Sequence, residues 1–211
     1  MARTQQQLLQ VQNQLSTGKK HNLPSDDPGS AAIAQQLRKL LETREAYANR
    51  WMRVREDRIR RADGSAGMFG VVEKDDFAVV VAVQDGQVAM VEQYRYPVGR
   101  RFWEFPQGSV HGASDPLVKA QTELREETGL LASSVTHVGR LYLAYGFCTQ
   151  AYDVFLATGL RQGERELDVE EQGLVSAFWP VARLEAAIQE GEVVDASTVA
   201  AFGLLRLKGL I

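Results

Sequence analysis

Gly108-Ser-Val-His-Gly-Ala-Ser-Asp-Pro-Leu-Val-Lys-Ala-Gln-Thr-Glu-Leu-Arg-Glu-Glu-Thr-Gly-Leu130 is the stretch from which the fold of this chain is read. Asp115 ahead of Pro116 marks a helix start, since an Asp carboxylate accepts from first-turn amides and the fixed φ of proline suits the first helical position. Gly129 is the matching stop, because glycine takes the left-handed conformation that ends helices without steric cost. Within these bounds Glu123, Glu126 and Glu127 stand at i, i+3 and i+4, which places their carboxylates on one face. Like charges that close repel, and a hard divalent cation with oxygen preference relieves the repulsion, so the pattern reads as a Mg²⁺ or Mn²⁺ site. A bare Glu-rich helix turn of this kind is more often a solvated acidic face, here steadied by Lys119 one turn before Glu123 and by Arg125.

Outward from this helix the period changes to that of strands. Phe77–Val83 and Gln87–Tyr94 flank Asp85-Gly86, a strong turn signal between two buried strands. Trp51–Arg61 and Met68–Val72 read as a hairpin around Ala62–Gly67, and Arg101–Pro106 as a further short strand. After the helix, Leu141–Phe147, Ala151–Ala157 and Leu174–Trp179 are predicted strands. Val181–Glu190, closed by Gly191, and a segment from Ser197 are predicted helices. Mixed strands with a few helices give an α+β fold built as an α/β/α sandwich.

With 211 residues, 45% of them hydrophobic, the chain suits one good core plus an appendage. Every aromatic residue lies at Tyr47 or later. The net charge of -3 excludes a broad basic surface for nucleic acid. The longest wholly apolar run, Phe77–Val83, falls far short of the roughly 20 residues of a membrane span. The start of the chain has no secretory h-region, and Cys148 alone permits neither an intrachain disulfide nor a Cys-based zinc site. These readings place the protein in the cytoplasm, with no nucleic-acid or membrane partner.

The stretch resembles the Nudix hydrolase box: a Gly, five residues, a Glu, seven residues, then Arg-Glu-apolar-any-Glu-Glu-any-Gly-apolar. Gly108, Glu123, Leu124, Glu126, Glu127, Gly129 and Leu130 fall on it, whereas Ser114 stands at the first box Glu and Thr122 at the box Arg. Glu92–Gly99, Phe102–Gly108 and Gly191–Ala201 are similar to the ADP-ribose pyrophosphatase branch of that family, so the resemblance covers about residues 47 to 211. It implies a homodimeric, metal-dependent hydrolase that cuts the pyrophosphate of a nucleoside diphosphate sugar with water. It implies Glu123, Glu126 and Glu127 as metal ligands, with Glu123 and Glu127 catalytic through the metal. Arg95, Glu104 and Gly108 are its substrate-binding candidates. For Arg95 a surface position on a strand end is the alternative, and for Glu104 a contact with Arg95 or a buried structural ion pair. The family commonly takes a further catalytic Glu from the loop before the penultimate strand, here Glu170 or Glu171 as general base. Ser114 and Thr122 motivate a second reading, a catalytically weakened module that binds a nucleotide.

Residues 4–48 resemble the N-terminal segment of flagellins and of the flagellar hook-filament junction protein, through Leu15-Ser-Thr-Gly-Lys19 and Ser25-Asp-Asp-Pro28. Leu8, Val11 and Leu15, then Ile33, Leu37, Leu40 and Leu41, are spaced as thin helical stripes. The resemblance implies a fusion, with a native N-terminal extension of coincidental likeness as the alternative, and a division into a helical segment over 1–48 and the hydrolase domain over 49–211. The extreme form of the fusion is a flagellar structural or export protein that carries the enzyme as cargo.

Overall fold

A computed structural model of the chain describes residues 39–61, 63–112, 114–167 and 173–211, Lys39 through its backbone alone. They fall into two compact units, residues 39–48 with 53–71, and residues 49–52 with 72–211.

The first unit is built on a three-stranded sheet in the order β1-β2-β3, formed by Lys39–Ala48, Met52–Arg60 and Ala66–Lys74, the last continuing into the second unit. β1 pairs antiparallel with β2, so residues 39–48 are strand where the Leu37, Leu40, Leu41 spacing predicts helix. Cross-strand chemistry explains the correction. Thr43 donates to Asp57 at 2.8 Å, Arg44 pairs with Glu56 at 2.9 Å, and Arg53 with Glu45 at 3.3 Å. The charges that look like a polar helix face are a cross-strand ladder, and such pairs fix sheet register. Leu40 and Leu41 remain exposed. The rest of the predicted helical segment, residues 1–38, lies outside the described residues.

The second unit continues with β4 (Phe77–Gln84), β5 (Gln87–Arg95), a 3₁₀ turn at Tyr96–Val98, β6 (Arg100–Glu104), β7 (Gln107–Ser109) and helix α1 (Pro116–Thr128). Then come β8 (Leu130–Tyr142), β9 (Ala151–Gln162), β10 (Val175–Pro180), α2 (Val181–Gln189) and α3 (Ala196–Leu207). The sheet runs β10-β5-β4-β9-β8, with β6 paired to β5 and β7 to β4. β4 and β9 are parallel and their other neighbours antiparallel, so the sheet is mixed.

β4 shows how the sequence makes the layers. Its run is apolar throughout because both faces are covered, and the strand period of two divides it. Phe77, Val79 and Val81 enter one core with Trp179, Leu184, Phe202 and Leu205 of β10, α2 and α3. Ala78, Val80 and Ala82 enter another with Ala120 and Leu124 of α1. The result is the expected α/β/α sandwich. At the β4–β5 turn Asp85 and Gly86 both take positive φ, 50° and 71°, as a two-residue hairpin of matched twist requires.

Two elements differ from expectation. β8 occupies Leu130–Tyr142, while residues 143–150 leave the sheet instead of forming the predicted strand. A register shift between His137 and Gly139 breaks the alternation that sequence reading depends on. β7, only three residues long, has too few positions for any period.

Candidate active site

α1 begins and ends as its sequence dictates. Asp115 accepts from the Leu117 amide at 2.9 Å, and Gly129, at φ 76°, donates to Arg125 O at 2.8 Å. Between these caps the helix turns Glu123 and Glu127 inward, only 3% and 1% exposed, and leaves Glu126 half-buried. Both inward carboxylates meet β7. The Gln107 amide donates to Glu127 Oε2 at 3.2 Å. Gly108 lies so close to Glu123 that a Cβ there would stand 2.8 Å from Oε2 and nearer still to Oε1 and Cδ. Gly108 is thus a cradle that any side chain would fill with carbon. Lys119 pairs with Glu123 Oε1. Arg125, the other cation expected to steady this face, pairs at 3.2 Å with Glu166 instead.

Gly108 also lines a cleft of about 240 Å³ together with Arg95, Gln107, Gln150, Asp195 and Ser197. Arg95 reaches it from the end of β5, where buried Glu104 holds it. Arg95 Nε donates to Glu104 Oε2 at 3.1 Å, its Nη2 pairs with Oε1, and Gln93 Nε2 donates to Oε1 at 2.8 Å. Glu104 is 1% exposed and absent from the cleft lining, so of its alternative roles the geometry displays contact with Arg95. Burial raises the Glu104 carboxyl above the ordinary carboxylate range, and Arg95 pulls it only part of the way back.

Sequence reasoning missed the far wall of this cleft. Asp195 caps α3, accepting from the Thr198 amide at 2.8 Å, and Ser197 Oγ donates to Gln107 Oε1 at 2.8 Å. The signal was the Asp-Ala-Ser-Thr cap sequence, which predicts a helix start but not what that start faces. Ser114, at a box Glu position, donates from Oγ to His111 O at 2.7 Å. Thr122, at the box Arg position, lines a separate groove with Val118, Leu131 and Val135. Glu170 and Glu171 lie outside the described residues. His111 pairs with Asp75 and His137 with Asp153, each at 2.8 Å, Cys148 is a buried free thiol, and Trp179 packs in the core against Trp103.

The donor set on α1 suits a divalent metal: all oxygen, anionic, and backed by the Gly108 cradle. Among the described residues no three His, Cys, Asp or Glu side chains yet converge as a ready cluster.

Comparison with known proteins agrees with this architecture. A family model described as the NUDIX domain matches residues 73–202, and one described as the nucleoside diphosphate sugar hydrolase N-terminal domain matches residues 39–72. The chain belongs to the Nudix family and is a Nudix hydrolase. The ADP-ribose pyrophosphatase of Mycobacterium tuberculosis is 37% identical over 150 residues, 70% of this chain and 72% of the relative. That of Bacillus subtilis is 33% identical over 150 residues, 69% and 80% respectively. A crystal structure of an ADP compounds hydrolase shares the fold, with a TM-score of 0.72 at 19% identity over 82% of this chain and 96% of that one. The match from residue 39 assigns β1 to the hydrolase, so the flagellin-like reading of residues 39–48 is withdrawn. Among the described residues no helix is long and apolar enough to cross a membrane.

Proposed function

We propose that this chain hydrolyses the pyrophosphate of a nucleoside diphosphate sugar of the ADP-ribose type, releasing a nucleoside monophosphate and a sugar phosphate. The observation that carries this is one cleft bordered by the Arg95 guanidinium and by β7, the strand against which Glu123 and Glu127 rest. A guanidinium offers paired donors to phosphate oxygens, and Glu104 holds it in a fixed orientation. Glu123, Glu126 and Glu127 would hold the divalent ion, Mg²⁺ or Mn²⁺. Such an ion, when bound, neutralises phosphate charge and lowers the pKa of an attacking water. Glu170 or Glu171 would serve as general base. Gly108 lets β7 approach the carboxylates and the diphosphate.

The protein acts as a homodimer, a reading supported by the exposed Leu40, Leu41, Tyr47, Met68 and Phe69 of the first unit. A cytoplasmic setting fits its one cysteine, which is a free thiol. Residues ahead of 39 form an added segment of flagellin type, and the hydrolase begins with β1.

Incubation with ADP-ribose and Mg²⁺ or Mn²⁺, followed by chromatography, should yield AMP and ribose phosphate. Absence of both products with either metal refutes hydrolysis. Ser114 and Thr122 favour one second reading, a weakened enzyme that retains nucleotide binding. Restoring both box residues, Ser114→Glu with Thr122→Arg, separates the two: turnover rises if only the box is impaired, and nucleotide binding persists without turnover if the protein is a binder.

A further inference from the structure

The acidic face of α1 carries its own cation. Lys119 Nζ pairs with Glu123 Oε1 one turn further along the helix, and the pair is largely withdrawn from water, the lysine side chain 26% and the glutamate side chain 4% exposed. The pairing has two consequences. It offsets one charge of the Glu123, Glu126, Glu127 face, which otherwise repels itself. It also engages an oxygen of Glu123 on the side of the helix that meets Gly108. An ammonium and a divalent ion compete for the same carboxylate lone pairs. An ammonium on a flexible four-carbon stem can swing aside in a way that a planar guanidinium fork, held by two parallel bonds, does not. Thr122, by contrast, contributes no charge and lines the groove on the β8 side of the helix.

We propose that Lys119 is the resident cation of this site: in the metal-free protein its ammonium holds Glu123, and a divalent ion gains Glu123 by displacing it. Lys119 is then a positioning residue that sets metal affinity. The inference rests on the reading of Glu123, Glu126 and Glu127 as the metal-holding residues. A site with a built-in competitor loads at higher metal concentration than the same carboxylates alone.

The test is calorimetric titration of the metal-free full-length protein with Mn²⁺, with thermal melting as a second readout. Lys119→Gln should tighten Mn²⁺ binding on the order of five- to tenfold, the scale of losing one partly screened like charge beside the ion. It should also melt at a lower temperature without metal and show a larger upward shift with it. Lys119→Arg, which keeps the charge, should bind Mn²⁺ no more tightly than wild type. If Lys119→Gln does not fold, Lys119→Met keeps the buried stem and gives the same reading. Affinity equal to or weaker than wild type in the neutral variant overturns the proposal. Wild-type protein that binds no Mn²⁺ refutes the metal reading itself and this inference with it, a result distinct from an unchanged affinity.

Discussion

Replacing Gly108 by alanine isolates the one place where backbone and carboxylate compete for space. The added Cβ would stand 2.8 Å from Glu123 Oε2 and inside contact distance of Oε1 and Cδ, against the roughly 3.5–4.0 Å at which nonbonded atoms rest. Gly108 is not at positive φ, so the backbone itself bears no strain and the carboxylate must move, by about an ångström or more. The obstacle is the end of a flexible side chain, so the fold survives at an overpacking cost of about 1–3 kcal/mol. For a chain of this size that lowers the melting temperature by roughly 2–4 °C per kcal/mol. Activity suffers more, because an ångström of misplacement at a reacting centre costs about a hundredfold. The control is Gly86→Ala. Gly86 takes φ 71° with nothing within 4 Å of an added Cβ, so that change introduces backbone strain of about 1–2 kcal/mol far from the cleft. The assay pairs thermal melts with ADP-ribose turnover at saturating metal. Gly108→Ala should lose far more turnover than stability, and Gly86→Ala stability alone. If Gly108→Ala turns over within about twofold of wild type, the position of the Glu123 carboxylate does not matter to the reaction and the site is misassigned.

Glu127→Gln keeps an acceptor for the Gln107 amide but loses the anion. Turnover should therefore fall by about a hundredfold or more while urea melts stay close to wild type. Removing divalent metal with chelator should abolish product formation, and added Mg²⁺ or Mn²⁺ should restore it. At Glu104, burial outweighs Arg95, so the native carboxyl keeps its proton to higher pH than it does in the unfolded chain. The native state then binds more protons across that window. The contribution of Glu104 to stability is full below the ordinary carboxylate pKa and is lost as pH rises through the raised value. The wild-type minus Glu104→Gln difference in unfolding free energy should accordingly decline with rising pH in stepped urea melts. A difference that climbs instead means that the Arg95 pair outweighs burial.

The features legible in the sequence were those set by local rules. Asp115, Pro116 and Gly129 bound α1 because caps act within one turn, and Asp85-Gly86 marked its hairpin because few residue pairs accept positive φ. β4 was legible because burial on both faces leaves an unbroken apolar run. β1 was not, since Leu37, Leu40 and Leu41 satisfy a helical stripe while the pairing of Arg44 with Glu56 and of Thr43 with Asp57 is non-local. β8 was hidden by its bulge and by a polar face. In the site, the α1 carboxylates and Gly108 lie within one motif and could be read together. Asp195 and Ser197 come to the same cleft from the far end of the chain, and only the packing of α3 over β4 brings them there.

The charges around the cleft follow one pattern of construction. Arg95 at its edge is tied to a carboxylate that the sheet buries, and Glu123 behind Gly108 is tied to an ammonium on its own helix. Arg95 and Glu123 are thus each one half of an ion pair. A stronger cation can exchange for the weaker partner of such a pair. The two pairs differ in that respect. Arg95 meets both oxygens of Glu104 through two nitrogens and lines the cleft. Lys119 meets Glu123 Oε1 through a point charge, and on the proposal above it is the partner that a divalent ion displaces.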